Sequence, residues 1–288
     1  MDRFRTIMVV AAIGCFVLAF ALSGIYPWWV TDAKGHEATL KEVTAEVSPD
    51  FKDIKERWPV GFDRAFAGAT QALTDKDLVG IPANDPRRTA SDAAWRTAYG
   101  DAVKRGRDRY IAEACWHCHS QYVRPVIGDT SRFGRIRTTA DDNNVLQRPV
   151  LWGTRRVGPD LTNEGGLRSN DWHAAHFADP TSVTPGSVMP KYPWYFEDGW
   201  QVRRSISKDV AAREGVDPAT SYPYPGVYRT KSEAESAMER IRGSIPQVLE
   251  AEKSRLFVAE AKSPTGDGLA LIAYMQWLGT WIAPKAGD

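Results

Sequence analysis

The sequence predicts a mainly α-helical chain, with one membrane-spanning helix at its amino terminus followed by a helical extramembrane domain broken by long loops. Three observations predict it. Ile7 to Ile25 is an uncharged apolar run, long enough as a helix to cross a bilayer core. Trp95, Tyr99, Val103, Gly106, Tyr110 and Ala114 recur at steps of three or four residues, the period of one helix face. Residues 120 to 200 are rich in glycine, proline and tryptophan with few periodic runs, so they read as loops wrapped around something other than a self-made core. With 288 residues, 43% hydrophobic and 25% charged, the chain suits one or two folded domains. Lysine plus arginine (37) nearly cancel aspartate plus glutamate (36), so no bulk charge argues for nucleic acid.

The first element is the anchor, residues 1–30. At about 1.5 Å per residue its apolar run spans roughly 28 Å, close to a bilayer core. Arg3 and Arg5 precede it, and Tyr26, Trp28 and Trp29 follow where an interfacial aromatic belt would lie. A cleaved signal peptide is the rival, because Ala19-Phe20-Ala21 has the small-x-small form of a cleavage site. The apolar run exceeds the ~7 to 15 residues usual for a signal, which favours retention. Lys34 and Lys41 nearly balance Arg3 and Arg5, so basic residues do not set the orientation. Cys15 within the run reads as a small packing residue.

Residues 31–90 form a polar extension, with helical spacing at Phe62, Phe66, Ala69 and Leu73 and breakers at Pro82 and Pro86. A clearer helix starts from a Ser91 or Asp92 cap and leads into a cysteine pair, opening a core segment of residues 91–200. Residues 201–262 read as an insertion, partly helical: Ala234, Met238, Ile241 and Ile245 share a face, and Gly243 and Pro246 interrupt it before Leu249 and Leu256. Residues 263–288 return to the core through an apolar helix from Gly268 to Ile282.

The chemistry centres on Cys115-Trp116-His117-Cys118-His119, a C-x-x-C-H attachment sequence for c-type haem. On one turn the two thiols lie on adjoining edges, where they can form thioethers with two vinyl groups, while the next imidazole reaches the iron. A zinc site would need two more ligands; His173 and His176, an i, i+3 pair, are the available ones. His117 occupies an x position and points off the other side of the turn. The candidates for the sixth iron ligand are Met189, Met238, Met275, His173 and His176. Met189 is favoured because it stands in an irregular segment rigidified by Pro190, whereas Met238 and Met275 fall in helical patterns. The carbonyl of Pro159, in Gly158-Pro159-Asp160-Leu161, is suited to accept the Nδ1 proton of His119.

Together these residues resemble the mono-haem subunit II of cbb3-type cytochrome c oxidases, the C family of haem-copper oxidases. The resemblance rests on Tyr110-Ile111, Cys115 to Gln121, Arg124-Pro125, Leu151 to Leu161, Gly165-Gly166, Asp171-Trp172-His173, Ala175-His176, Asp179-Pro180, Met189 to Trp194 and Leu271 to Thr280. It implies a class I cytochrome c-like domain with long loops and insertions behind a single membrane helix. It also implies one covalent haem c held by Cys115 and Cys118, with iron ligands His119 and Met189. Pro159, Trp152, Tyr192 and the propionate-pairing candidates Arg124, Arg155 and Arg156 complete the implied cofactor contacts. Gly106 would let the first core helix approach the last beside Tyr274.

The implied role is electron transfer, from a di-haem subunit or a soluble cytochrome c to the catalytic haem-copper subunit that reduces dioxygen in aerobic respiration. The implied setting is the bacterial inner membrane, single-pass, with the haem domain on the periplasmic side. No catalysis by this chain itself is expected. The wider family leaves room for an interface calcium, for which no ligand is identifiable here. The stretch from Asp32 to Tyr99 is longer than such subunits usually carry, and it and residues 201–262 are expected to dock on a partner subunit. Two other functions compete: the cytochrome subunit of a nitric oxide reductase, against which the tryptophan-rich block Trp172 to Trp194 argues, and a stand-alone haem sensor or peroxidase-like enzyme, which would need an open sixth position.

Overall fold

The chain begins with an apolar helical stretch of 29 residues, Asp2–Val30, which is long and apolar enough to cross a membrane and none of whose apolar window is buried in the protein. In the computed structural model, which describes residues 2–126, 128–138, 141–205, 212, 221–246 and 253–281, this stretch comprises α1 (Asp2–Phe20), a π-helical turn at Ala21–Ile25 and the start of α2 (Tyr26–Lys34). The rest is mostly helical and packs around one principal core.

Residues 40 to 72 belong to that core. Here α3 (Leu40–Val43), α4 (Pro49–Arg57) and α5 (Pro59–Ala65) follow one another in short steps, since Pro49 and Pro59 each open a helix at a position whose N–H has no helical partner. Phe51, Ile54, Trp58, Phe62 and Phe66 are all buried. Phe51 meets Tyr99 at 4.8 Å between ring centroids, and Phe62 meets Trp95 at 5.6 Å. Lys55 is sealed into this layer, donating from Nζ to Ala69 O (2.6 Å) and Ala72 O (2.7 Å) and pairing with Asp63 at 3.1 Å. Replacing Lys55 by methionine is expected to cost about 2 to 3 kcal/mol, because two buried carbonyls lose a charged donor. Urea denaturation of the detergent-solubilised chain measures it; an unchanged midpoint would show those carbonyls reaching water instead.

The central helix is α6 (Pro86–Ala112). It starts five residues before the expected Ser91 cap: Asp85 accepts from Arg87 N, and Pro86, read in the sequence as a breaker, occupies the first helical position. It stops before Ala114, which adopts φ 55°, ahead of the one-turn α7 (Cys115–Cys118) and, after a loop, α8 (Asp129–Phe133). Helices α9 (Asn170–Ala178) and α10 (Pro180–Val183) precede the segment that carries Met189.

The segment expected to be a partly helical insertion is built mainly on a sheet. Strands β1 (Phe196–Ser205), β2 (Ser221–Tyr228) and β3 (Leu256–Pro264) pair antiparallel in the order β2-β1-β3. The register of β1 on β3 runs from Phe196↔Pro264 to Arg204↔Leu256. Across it lies α11 (Lys231–Ser244), begun by a capping box of Thr230 and Glu233. Val202, Ala237 and Leu256 form a small second core there, and Met238, Ile241 and Ile245 pack on it. Leu256 is thus a strand residue; Leu249 lies outside the described residues. Because only Gly199 and Val202 of β1 are fully buried, its sequence, Phe-Glu-Asp-Gly-Trp-Gln-Val-Arg-Arg-Ser, carries only a weak two-residue alternation.

The last helix, α12 (Gly266–Trp277), is capped by Thr265 and buried along nearly its whole length. It ends five residues earlier than expected, before Gly279 at φ 87°; Ile282 lies outside the described residues. Packed against α6, it makes the floor under the cysteine motif. Tyr110 and Tyr274 meet at 5.5 Å, and the Gln121 amide donates to Tyr274 Oη at 2.9 Å.

Candidate functional site

The cysteine motif is held by its own backbone and by the loop at residues 151 to 161. Tyr110 Oη at the end of α6 donates to His119 O at 3.2 Å. Four backbone hydrogen bonds then knit the loop to the motif: Arg155 N to His117 O, Gly158 N to Cys118 O, Leu161 N to Ser120 O, and Gln121 N to Leu151 O. The result places Pro159 O 3.0 Å from His119 Nδ1. This bond selects the tautomer and ring plane, leaving Nε2 as the metal-facing nitrogen. Gly158 lies flat against the ring, where a Cβ would come within 2.3 to 2.7 Å of three imidazole atoms. Burial lowers the pKa of His119, partly offset by the Pro159 bond and by Asp160, which keeps the ring neutral and able to ligate.

Asp160 anchors this loop. Buried, it accepts from Ser120 Oγ (2.5 Å), Tyr122 N (2.8 Å) and Thr162 N (2.8 Å). Arg156 closes the knot, pairing with Asp160 at 3.2 Å and with Asp129, and donating to Ser120 Oγ and Tyr122 O. The guanidinium of Arg156 is therefore already engaged by protein oxygens. Neither Asp160 nor Ser120 stood out as a structural anchor in the sequence, because a buried carboxylate reads like any surface one until its donors are in place.

Cys115 is partly buried and Cys118 exposed. Burial, with the nearby Glu113 charge second, pushes the Cys115 thiol up to about 12. Tyr192, itself buried, lies against Cys115. Glu113 accepts from Trp194 Nε1 and Tyr195 Oη, both at 3.0 Å, and so ties the chain after Met189 to the start of the motif. Nothing in the sequence marked Glu113. Met189 is partly buried against the core that also receives Cys115 and Trp116, and Ser187 Oγ accepts from its N–H at 3.2 Å. Met275 is buried in α12 and Met238 sits in the sheet's cluster.

Arg124, Trp152 and Arg155 gather where the loop at residues 151 to 161 runs beside the motif. With Tyr122, Gly153, Thr154 and Arg156 they line an open pocket of about 470 Å³, and Trp152, 66% exposed, leans on Tyr122 at 6.0 Å. The exposed His117 bonds Thr154 Oγ1 at 3.0 Å. Among the described residues, no cluster of three or more His, Cys, Asp or Glu side chains is placed to hold a metal ion, so the cysteines and the histidines of α9 do not assemble a zinc site. His173 is buried, and its pKa falls to about 3, with desolvation the largest cause and the charges of His176 and Arg168 adding to it.

The His173 shift predicts an acid-sensitive fold. The unfolded imidazole binds its proton near 6.5 and the folded one near 3, so stability is full above 6.5 and declines as the pH falls through that window. The expected loss is about 2 kcal/mol by pH 5. Urea titrations at pH 7 and pH 5 would read it, and His173→Phe should flatten the difference; a slope that survives the substitution would assign the effect elsewhere.

The family described as cytochrome c oxidase, mono-heme subunit/FixO matches this chain over residues 82–282. The chain belongs to that family. No curated protein matches it. As a mono-heme oxidase subunit it carries one haem and is a partner of the catalytic oxidase subunit. The family match begins just before α6 and leaves residues 1–81 outside, although α4 and α5 pack directly on Trp95 and Tyr99 of the matched part. Removing residues 40 to 85 to test for partner docking would therefore also strip Phe51, Phe62 and Phe66 from the core.

The residues present fit a haem. A cysteine pair on one helical turn, an imidazole whose outer nitrogen is pinned, and a glycine that leaves the ring its space are assembled by one loop. The thioether of Met189 supplies a second soft donor in the same core.

Proposed function

We propose that this subunit is a membrane-anchored c-type cytochrome that passes electrons to the catalytic haem-copper subunit of a dioxygen-reducing oxidase. The observation that carries the reading is the 3.0 Å contact between His119 Nδ1 and Pro159 O beside the Cys115–Cys118 turn, in a chain of the mono-heme subunit family. Cys115 and Cys118 hold the haem through thioethers, and His119 and Met189 are the iron ligands. The bound haem supplies one-electron exchange between ferrous and ferric iron. The chain's residues do the rest: Pro159 orients His119, Gly158 leaves its ring room, and Tyr192 covers Cys115. A thioether from Met189 would favour ferrous iron and leave no open coordination site, which suits a carrier rather than a sensor.

Residues 2–30 anchor the chain in a bacterial inner membrane with the haem domain on the periplasmic side, where a di-haem subunit or a soluble cytochrome c delivers electrons. Purifying the complex from native membranes through a tag on this chain tests the reading. The expected result is a co-purifying haem-copper subunit, oxygen uptake, and haem that stays on this chain after denaturation. A nitric oxide-consuming partner, or haem lost on denaturation, would overturn it.

A further inference from the structure

The strongest unexplained chemistry outside the motif is on α9. His176 Nδ1 and His173 Nε2 are both shut off from solvent, and neither has a hydrogen-bond partner. No bond joins the two rings to each other. A polar ring atom sealed in this way costs about 1 to 3 kcal/mol if it stays unpaired, so each needs a hydrogen-bond partner that the protein alone does not supply, and a nitrogen that carries the ring's N–H needs an acceptor. The His176 ring is fixed in place: it stacks on Trp172 at 4.5 Å with 13° between planes, and the Arg168 guanidinium also lies over the Trp172 ring, at 5.0 Å.

The position of His176 points to its partner. Its ring lies close enough to His119 for the charge of one to act on the other. One residue further along α9, Phe177 O accepts from Tyr192 N at 2.9 Å, which ties the segment carrying Met189 to this end of the helix. His176 therefore lies near His119, at the end of α9 to which the segment after Met189 is tied. Within that space a haem offers few hydrogen-bond acceptors, because its four ring nitrogens are taken by the iron and only the two propionates remain. Of the arginines near the motif, Arg156 is already held by Asp129 and Asp160.

We propose that His176 is a haem-positioning residue whose buried Nδ1–H donates a hydrogen bond to a propionate of the bound haem. The inference rests on the haem-binding reading above and adds a contact to it. The donor withdraws part of the propionate's negative charge from the iron, which favours the ferrous state and raises the reduction potential. Trp172 and Arg168 hold the donor's ring plane in place.

Two variants of the full-length chain in detergent test this. His176→Phe keeps a ring against Trp172 but has no donor, and His176→Gln restores an N–H. In a spectroelectrochemical titration, His176→Phe should shift the ferric-to-ferrous ratio about three- to tenfold toward ferric at a fixed solution potential, a fall of about 30 to 60 mV. Resonance Raman bands of the propionates should move with it, and His176→Gln should bring both back towards wild type. Unmoved potentials and propionate bands in His176→Phe, with intact His/Met haem, would overturn the inference alone. So would loss of the methionine-ligation absorption in that variant, since it would put the donor on Met189 rather than on a propionate. A wild-type chain without covalent haem would overturn the haem-binding reading itself.

Discussion

Replacing Met189 by alanine is expected to lower the haem potential by on the order of 0.1 V, roughly fiftyfold in the ferric-to-ferrous ratio, and to collapse oxygen uptake by the complex. Axial ligand identity is the strongest lever a protein has on this potential, because the thioether stabilises ferrous iron. The surrounding scaffold should survive. Met189 is only partly buried, and its segment is held by bonds that do not pass through its side chain, from Met189 N to Ser187 Oγ and from Tyr192 N to Phe177 O. The variant should therefore fold, retain covalent haem, and bind carbon monoxide in the ferrous state, which the proposed His119/Met189 ligation would resist in the wild type. Difference spectra with and without carbon monoxide, read beside oxygen consumption, decide it. A variant that carries its haem, turns over normally and still excludes carbon monoxide would show that another side chain is the ligand.

Gly106→Ala should damage the fold itself. At Gly106 the backbones of α6 and α12 approach so closely that an added Cβ would lie 2.0 Å from Ala270 O and 2.6 Å from Tyr274 Cβ. Neither atom is the end of a flexible side chain, so one helix must move. Alanine is otherwise the better helix former by about 1 kcal/mol, and this overlap is expected to outweigh that gain several times over. A net loss of about 3 kcal/mol follows from overpacking at rigid backbone, or roughly 6 to 12 °C in melting temperature for a domain of this size. The loss should reach the haem site as well, because Tyr110 Oη at the end of α6 holds His119 O and Tyr274 holds Gln121. A thermal melt matching wild type would mean that the helices cross farther apart.

Much of the candidate site was legible along the chain. Cys115, Cys118 and His119 carry their chemistry in their spacing, and the pairing of His119 with Pro159 follows from a carbonyl in a short rigid sequence. The contact of Gly106 with Tyr274 was expected from the family resemblance, and the helices do meet there. The start of α6 was misplaced because proline interrupts a helix everywhere except in its first turn, and only the Asp85 cap shows that Pro86 stands there. The sheet at residues 196 to 264 was missed because its buried positions are few and divided between the main core and a small second cluster, so few positions along each strand had to be apolar.

By itself the sequence determined the properties that reside in single residues or short runs: an apolar stretch able to cross a membrane, and the cysteines and imidazole suited to a haem. Tertiary structure alone decided which polar groups are used up and which are still available. Arg156 and Arg155 are neighbours of one type, yet one is locked between Asp129 and Asp160 while the other faces an open pocket. Residues 40 to 72 look like a polar appendage and prove to bury Phe51, Ile54 and Phe62 against Trp95 and Tyr99. The physical reason is common to both cases. Burial and hydrogen-bond partnership are set largely by groups distant in the chain, as Asp129 is from Arg156 and Tyr99 from Phe51, and local spacing carries no information about them.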